Sequence, residues 1–275
     1  MPGDPFAVAV APDGAVWTAT HDGRQVLRID PATRKVTAKA PIGGNGTALA
    51  YADGSMWAVG WKRALYRLAD PAGTVAQTTP LPRPDQMAID GDSLWVTNWQ
   101  HNSVSHVDAR NGRPLGTVTA GPAPLAGEQG VSSVAVGDGS VWVVRGDTDT
   151  VYRIDPGDGH VQARVGVGLT PTSAAFGAGS LWVLNLQGNS VSRIDPATDH
   201  VTATITTQAE PAYAATAGGA VWVTNFDGDS LTRIDPATNH TRQVKVCLGP
   251  AGIAAAGNTL WVACPNAHQL VRVTA

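Results

Sequence analysis

Seven tryptophans, Trp17, Trp57, Trp95, Trp142, Trp182, Trp222 and Trp261, occupy one recurring position in this 275-residue chain, each inside a phrase such as Ser93-Leu94-Trp95-Val96-Thr97-Asn98. Thirteen residues after each stands the end of an Arg-Ile-Asp-like phrase: Asp30, Asp70, Asp108, Asp155, Asp195, Asp235 and, in the last copy, Thr274. From that phrase to the next tryptophan the distance varies between 25 and 34 residues, so insertions are confined to one half of the unit. A period of about 40 residues marks a repeat architecture, in which each copy is one supersecondary unit that buries its faces against its neighbours. The repeat runs from end to end and leaves no linker, which points to one closed domain, 1–275.

Each unit holds four short runs rich in Val, Ile, Thr and Trp; in the fifth they are 172–176, 180–185, 190–195 and 200–206. They often alternate with period two, are bounded by Gly, Asn, Asp and Pro, and lack a helical period, so they read as strands. Pairs such as Asp13-Gly14, Asp53-Gly54 and Asp138-Gly139 suit hairpin turns with positive φ. Asp-Pro-Ala-Thr, in the first, fifth and sixth units, ends a strand by fixing φ and removing a donor.

Four antiparallel strands in each of seven units predict an all-β, seven-bladed β-propeller. The blades fall near 6–40, 47–80, 86–120, 131–166, 172–206, 212–246 and 251–275. The seventh unit stops after its third run, Val271-Arg272-Val273, so 27 strands are expected rather than 28. Closure then rests on packing between the first and last blades, or on a strand from upstream in a longer protein.

The phrases Gly139-Ser140-Val141-Trp142-Val143 and Val151-Tyr152-Arg153-Ile154-Asp155-Pro156 resemble the virginiamycin B lyase and YVTN-type propeller superfamily, and the similarity covers the whole chain. In the lyases the second run reads Trp-Phe-Thr-Glu and a catalytic histidine follows a proline in a top unit-to-unit loop. Here the glutamate position holds Asn98, Asn185 or Asn225 in the most similar copies. The residues after the corresponding prolines are Phe6, Asp85, Thr172, Ala212 and Ala251. The resemblance therefore implies the scaffold and does not carry over the lyase site.

In a propeller, the loops from second to third strand and from unit to unit share one face, here called the top. Length variation falls on this face, most of all in 119–130, and variable loops on a fixed scaffold are where function is sought. Residues that break the repeat there are the candidates. Trp61 and Trp99 offer large aromatic surfaces in neighbouring top loops, and Tyr213 and Phe226 can join them. Asn98, Arg145, Asn185 and Asn225, three residues beyond their tryptophans, offer polar groups beside those rings. Apolar area with a few placed polar groups is what a small-molecule pocket uses.

His21, His101 and His268 lie in top loops, and the only two glutamates, Glu128 and Glu210, fall in top unit-to-unit loops. These five are the acid–base candidates if the chain is an enzyme with lyase-like or other proton-transfer chemistry. His160, His200 and His240 share one bottom-turn position, and His106 replaces the arginine of its phrase, so all four read as scaffold. The Arg-x-Asp pairs read as a structural charge network.

Cys247 precedes the first run of the seventh unit and Cys264 ends its second, so antiparallel pairing brings them together and a disulfide is expected. A bond would place the protein in an extracytoplasmic, oxidising compartment; two reduced core cysteines would leave it cytoplasmic. With 15% charged residues and a net charge of −3, the chain lacks the basic clusters of a nucleic-acid binder. No apolar run approaches the ~18 residues of a membrane span. No phosphate loop, zinc-helix motif or nucleophile elbow is present, so no cofactor or metal is expected.

Three functions are compatible with these residues. The first is a monomeric propeller that presents a top-face pocket to a small molecule, peptide or cell-wall component, as a sensor module does. The second is an enzyme using the top-face Glu and His residues. The third is a protein-interaction platform.

Overall fold

The computed structural model describes residues 3–122 and 130–275, and within them 27 strands form six four-stranded sheets and one three-stranded sheet. Every sheet is an antiparallel meander in chain order. The inner strands are Pro5–Val10, Gly46–Ala52, Pro84–Asp90, Val131–Gly137, Pro171–Gly177, Pro211–Ala217 and Ile253–Ala256. Each touches the inner strands of both adjacent blades, so the seven surround a central channel. The last sheet has three strands, ending in Gln269–Thr274, as the sequence predicts. Among the described residues no helix is long and apolar enough to cross a membrane, and the one helix is the single turn Pro265–Ala267.

The repeat phrase is the cement between blades. Six of the seven tryptophans are at most 3% exposed. Each pairs in register with the arginine of its own blade's phrase, or with His106 in the third, which explains the constant spacing. The Arg153 guanidinium lies 5.1 Å from the Trp142 ring centroid, its Nε donates to Ser140 Oγ at 2.9 Å, and its Nη1 donates to Pro196 O in the next blade at 2.5 Å. Arg193 repeats the pattern over Trp182 at 5.0 Å and toward Pro236 O at 2.6 Å. His106 instead stacks flat on Trp95, with centroids 4.1 Å apart.

The charge network expected of these phrases is present in part, Arg28 Nε donating across blades to Asp70 Oδ1 at 3.0 Å and Arg153 Nη1 to Asp199 Oδ1 at 3.1 Å, while other phrase aspartates cap turns. Asp195 Oδ1 accepts from the Ala197 amide at 2.9 Å and Asp235 Oδ1 from the Ala237 amide at 2.8 Å, so each carboxylate caps its own Asp-Pro turn. Across blades the arginine fork reaches both carbonyls, such as Pro196 O, and carboxylates, such as Asp70 and Asp199.

The first and last blades meet at their inner strands. Gly252 N donates to Phe6 O at 2.8 Å, joining the seventh blade to the first. A Cβ at Gly252 would fall 2.4 Å from that oxygen, so only glycine permits the approach. Trp261, alone among the repeat tryptophans, is only half-buried. It opens onto a groove with Ile29, Arg34, Leu270 and Arg272 beside the outer edge of the third strand. The sulfurs of Cys247 and Cys264 stand at bonding distance, 1.98 Å, and the pair packs into the apolar cluster between the sixth and seventh blades.

Candidate functional site

A one-residue irregularity repeats at the top of the inner strands and shapes the channel mouth. In the first blade Pro5 faces Thr20 and Ala7 faces Ala19, which leaves Phe6 as an extra residue. The same shift frees Thr47, Ser132 and Thr172, and it places two residues, Asp85 and Gln86 in the third blade and Ala212 and Tyr213 in the sixth, opposite one. Such β-bulges bend the strand and re-aim a side chain that regular alternation would send elsewhere. Here they turn side chains into the channel mouth.

The result is a cup of about 310 Å³ lined by bulge residues Phe6, Thr47, Asp85, Ser132 and Thr172, with Trp61, Trp99 and His21 on its upper wall. Gln86 and Tyr213 reach across the channel, Gln86 Nε2 donating to Tyr213 Oη at 3.3 Å, and form the floor. Below them the channel continues as a narrower space of about 140 Å³. Phe6 braces the wall, edge-on to Tyr213 with centroids 6.0 Å apart and tilted against His21 at 5.3 Å.

Trp61 and Trp99 come from the second-to-third loops of neighbouring blades. Their amides donate to Asn45 O at 2.8 Å and Arg83 O at 2.9 Å, which ties each loop to the start of its own blade's inner strand. The ring centroids are 5.7 Å apart and tilted by 52°. Lys62, in a left-handed conformation with φ of 57°, donates its amide to Pro84 O at 3.0 Å. Its Nζ then lies 3.7 Å from the Trp61 centroid and 4.4 Å from that of Trp99, a distance at which an ammonium is attracted by the ring quadrupoles.

Asp85 is the one carboxyl group among the described lining residues. Burial pushes it up to about 6, opposed by the Thr47 hydroxyl and by the charge of Lys62. Burial, with the nearby Asp85 charge, likewise raises the Tyr213 phenol, which stays protonated. The cup therefore contains a carboxyl that changes charge near neutrality, surrounded by aromatic faces and hydroxyls.

The sequence candidates divide by this geometry. Trp61, Trp99, Tyr213 and His21 line the cup. Asn98, Asn185 and Asn225 are fully buried inside their blades. Their Nδ2 atoms donate to Ser103, Ser190 and Ser230 hydroxyls at 2.9, 3.1 and 3.1 Å, which fastens the second strand to the third. Arg145, 2% exposed, donates to Ala120 O at 3.1 Å and Pro122 O at 2.8 Å and pairs with Asp147, so it anchors the long loop after residue 120. Asp147 holds its charge, and Glu128 lies outside the described residues.

Phe226 and Glu210 are joined through their backbones, Phe226 N donating to Glu210 O at 2.8 Å, and neither lines the cup. His101 is exposed in the loop after Trp99. His268 caps the turn Pro265–Ala267 and faces the groove by Trp261. The acid–base candidates thus do not converge: among the described ones, only His21 reaches the cup. Asp85, Phe6, Thr47, Gln86, Ser132 and Thr172 were not singled out by the sequence reading. Their signal was position: Phe6, Asp85 and Thr172 directly follow a proline, the register at which the resembling lyases carry a histidine.

No protein-family model matches the sequence, and no curated protein sequence matches it either. Solved structures do. A catalytically inactive variant of virginiamycin B lyase from Staphylococcus aureus, crystallised with quinupristin, superposes with a TM-score of 0.86 at 18% identity, covering 100% of this chain and 96% of that one. A streptogramin B lyase gives 0.84 at 17% identity over 99% and 94% of the two chains. BamB from Moraxella catarrhalis gives 0.71 at 14% identity over 97% and 83%. At these identities the likeness is one of fold, and the chain is a seven-bladed β-propeller of the architecture that the streptogramin lyases share.

Proposed function

We propose that this chain is a ligand-binding propeller whose top-face cup holds a small molecule or the end of a peptide or cell-wall fragment, acting as a monomer. One observation carries the reading: bulges in successive inner strands and two tryptophans from neighbouring top loops converge on a single concave site of about 310 Å³ with one buried carboxyl. Converging apolar walls with a few placed polar groups and one perturbed titratable residue are the usual marks of a binding site. A fold neighbour crystallised with quinupristin supports the scaffold's capacity for such a ligand. The Cys247–Cys264 pair supports an extracytoplasmic setting, where a sensor module would meet its ligand. The test is a fragment screen by thermal shift on the intact chain. Hits should vanish in Trp99→Ala while the circular dichroism spectrum is unchanged, and hits that persist in Trp99→Ala would remove the cup from the account.

The acid–base alternative has one specific support, a carboxyl poised at about 6 inside the cup. It would rest on Asp85 with His21, not on Glu210, His101 or His268. Turnover of a bound compound that Asp85→Asn abolishes without abolishing binding would select it.

A further inference from the structure

We infer that the cup takes an organic cation: a ligand whose ammonium group sits on the faces of Trp61 and Trp99 with the Asp85 carboxylate as its counter-charge, in competition with the side chain of Lys62. The inference rests on the proposed role of the cup and names its ligand class.

The protein already displays a cation in this place. Lys62 Nζ stands 3.7 Å from one indole centroid and 4.4 Å from the other, so the two rings form an open cage occupied by an internal ammonium. Lys62 does not line the cup; it reaches the pair from the exposed rim, where its stem shares a second depression with Arg24, Gly44 and Arg63. A side chain held by ring faces and by the charge of Asp85 at an exposed rim can swing away, whereas its backbone is fixed through the amide hydrogen bond to Pro84 O. Displacement of Lys62 uncovers both indoles without moving the loop.

The charge balance within the cup selects the same class. Among the described residues Asp85 is the only carboxyl in the lining, and no described lysine or arginine lines the cup with it. An anion would meet this carboxyl and the negative faces of the aromatic rings. A neutral ligand would leave the buried carboxylate without an added partner. A cation satisfies both, because opposite charge offsets the desolvation that raises Asp85, as Lys62 already does in part. Phe6, at the first-blade side of the cup, adds a third aromatic surface suited to an alkyl-substituted ammonium.

The experiment uses the intact chain and three probes of nearly equal shape, followed by calorimetry and by the indole N–H signals in NMR. These are choline, its neutral analogue carrying a tert-butyl group in place of trimethylammonium, and pivalate. Choline should bind at least ~10-fold more tightly than the neutral analogue, the scale of one desolvated cation–π contact. Asp85→Asn should reduce that preference by removing the counter-charge, and Trp99→Ala should reduce it by removing a ring. Lys62→Asn, which suits the left-handed backbone, should strengthen choline binding several-fold by removing the internal competitor. Equal or tighter binding of the neutral analogue or of pivalate overturns the inference, as does weaker choline binding in Lys62→Asn. If such non-cationic binding is itself lost in Trp99→Ala, the cup survives as a ligand site and only the cation assignment falls. Silence from all three probes counts against both.

Discussion

The indoles of Trp61 and Trp99 meet across the boundary between the second and third blades, with centroids 5.7 Å apart and planes tilted by 52°. They are the two tryptophans outside the repeat, and neither cements blades as the repeat tryptophans do. The pair is half-buried at the channel mouth, and in the proposed reading it is the surface that a ligand meets.

Asp85 contributes a pH response of its own. Its folded value of about 6 exceeds the ordinary 3.8, so its contribution to stability is fully present below 3.8 and is lost as pH rises through about 6. Asp85→Asn should therefore raise the melting temperature at about pH 8, by the equivalent of at most ~3 kcal/mol. The gain should fade as pH falls through 6 and vanish below 3.8. Melting curves of both proteins across this range check the sign.

The buried asparagines should behave as structure. Asn225 Nδ2 donates to Ser230 Oγ at 3.1 Å and to Thr232 Oγ1 at 3.0 Å at 0% exposure. Asn225→Ala should cost about 1–3 kcal/mol in urea denaturation by stranding those hydroxyls. Fragment binding to the folded variant should stay within about twofold of wild type, well inside the tenfold step of 1.4 kcal/mol.

Trp182 and Arg193 form a coupled staple, the guanidinium 5.0 Å from the ring and bonded onward to Pro236 O. Trp182→Ala should cost about 3–5 kcal/mol and Arg193→Ala about 1.5–3 kcal/mol. In a double-mutant cycle the two should fall short of additivity by about 0.5–3 kcal/mol, because they are in direct contact.

The disulfide closes a loop of sequence separation 17. Replacing both cysteines by serine should lower stability by about 2–4 kcal/mol. Thiol titration of the native chain in denaturant should find no free thiol, since both cysteines are paired.

The architecture was legible because the Trp17-to-Trp261 series and the following Asp and Arg positions repeat in fixed register, and that register is the cross-strand pairing itself. Trp61, Trp99 and Tyr213 were legible as departures from the repeat. The Asn98, Asn185 and Asn225 ring misled as binding candidates for a physical reason: the second strand is covered on both faces by adjacent blades, so a polar residue there is satisfied within its own sheet. Asp85 was hidden for the opposite reason. A bulge breaks the period-two alternation that sequence reading relies on, and the preceding Pro84 is a faint local mark of where the extra residue falls. Arg145 broke the repeat and yet serves the scaffold, because a long loop needs its carbonyls held.

If the cup between Trp61, Trp99 and Asp85 is the ligand site, crystals soaked with a fragment library will show it. Density should collect in the cup, above the Gln86–Tyr213 floor and against the two indoles, with Lys62 moved off the rings. Fragments gathering instead in the groove beside Trp261, with the cup empty across the library, would contradict the account.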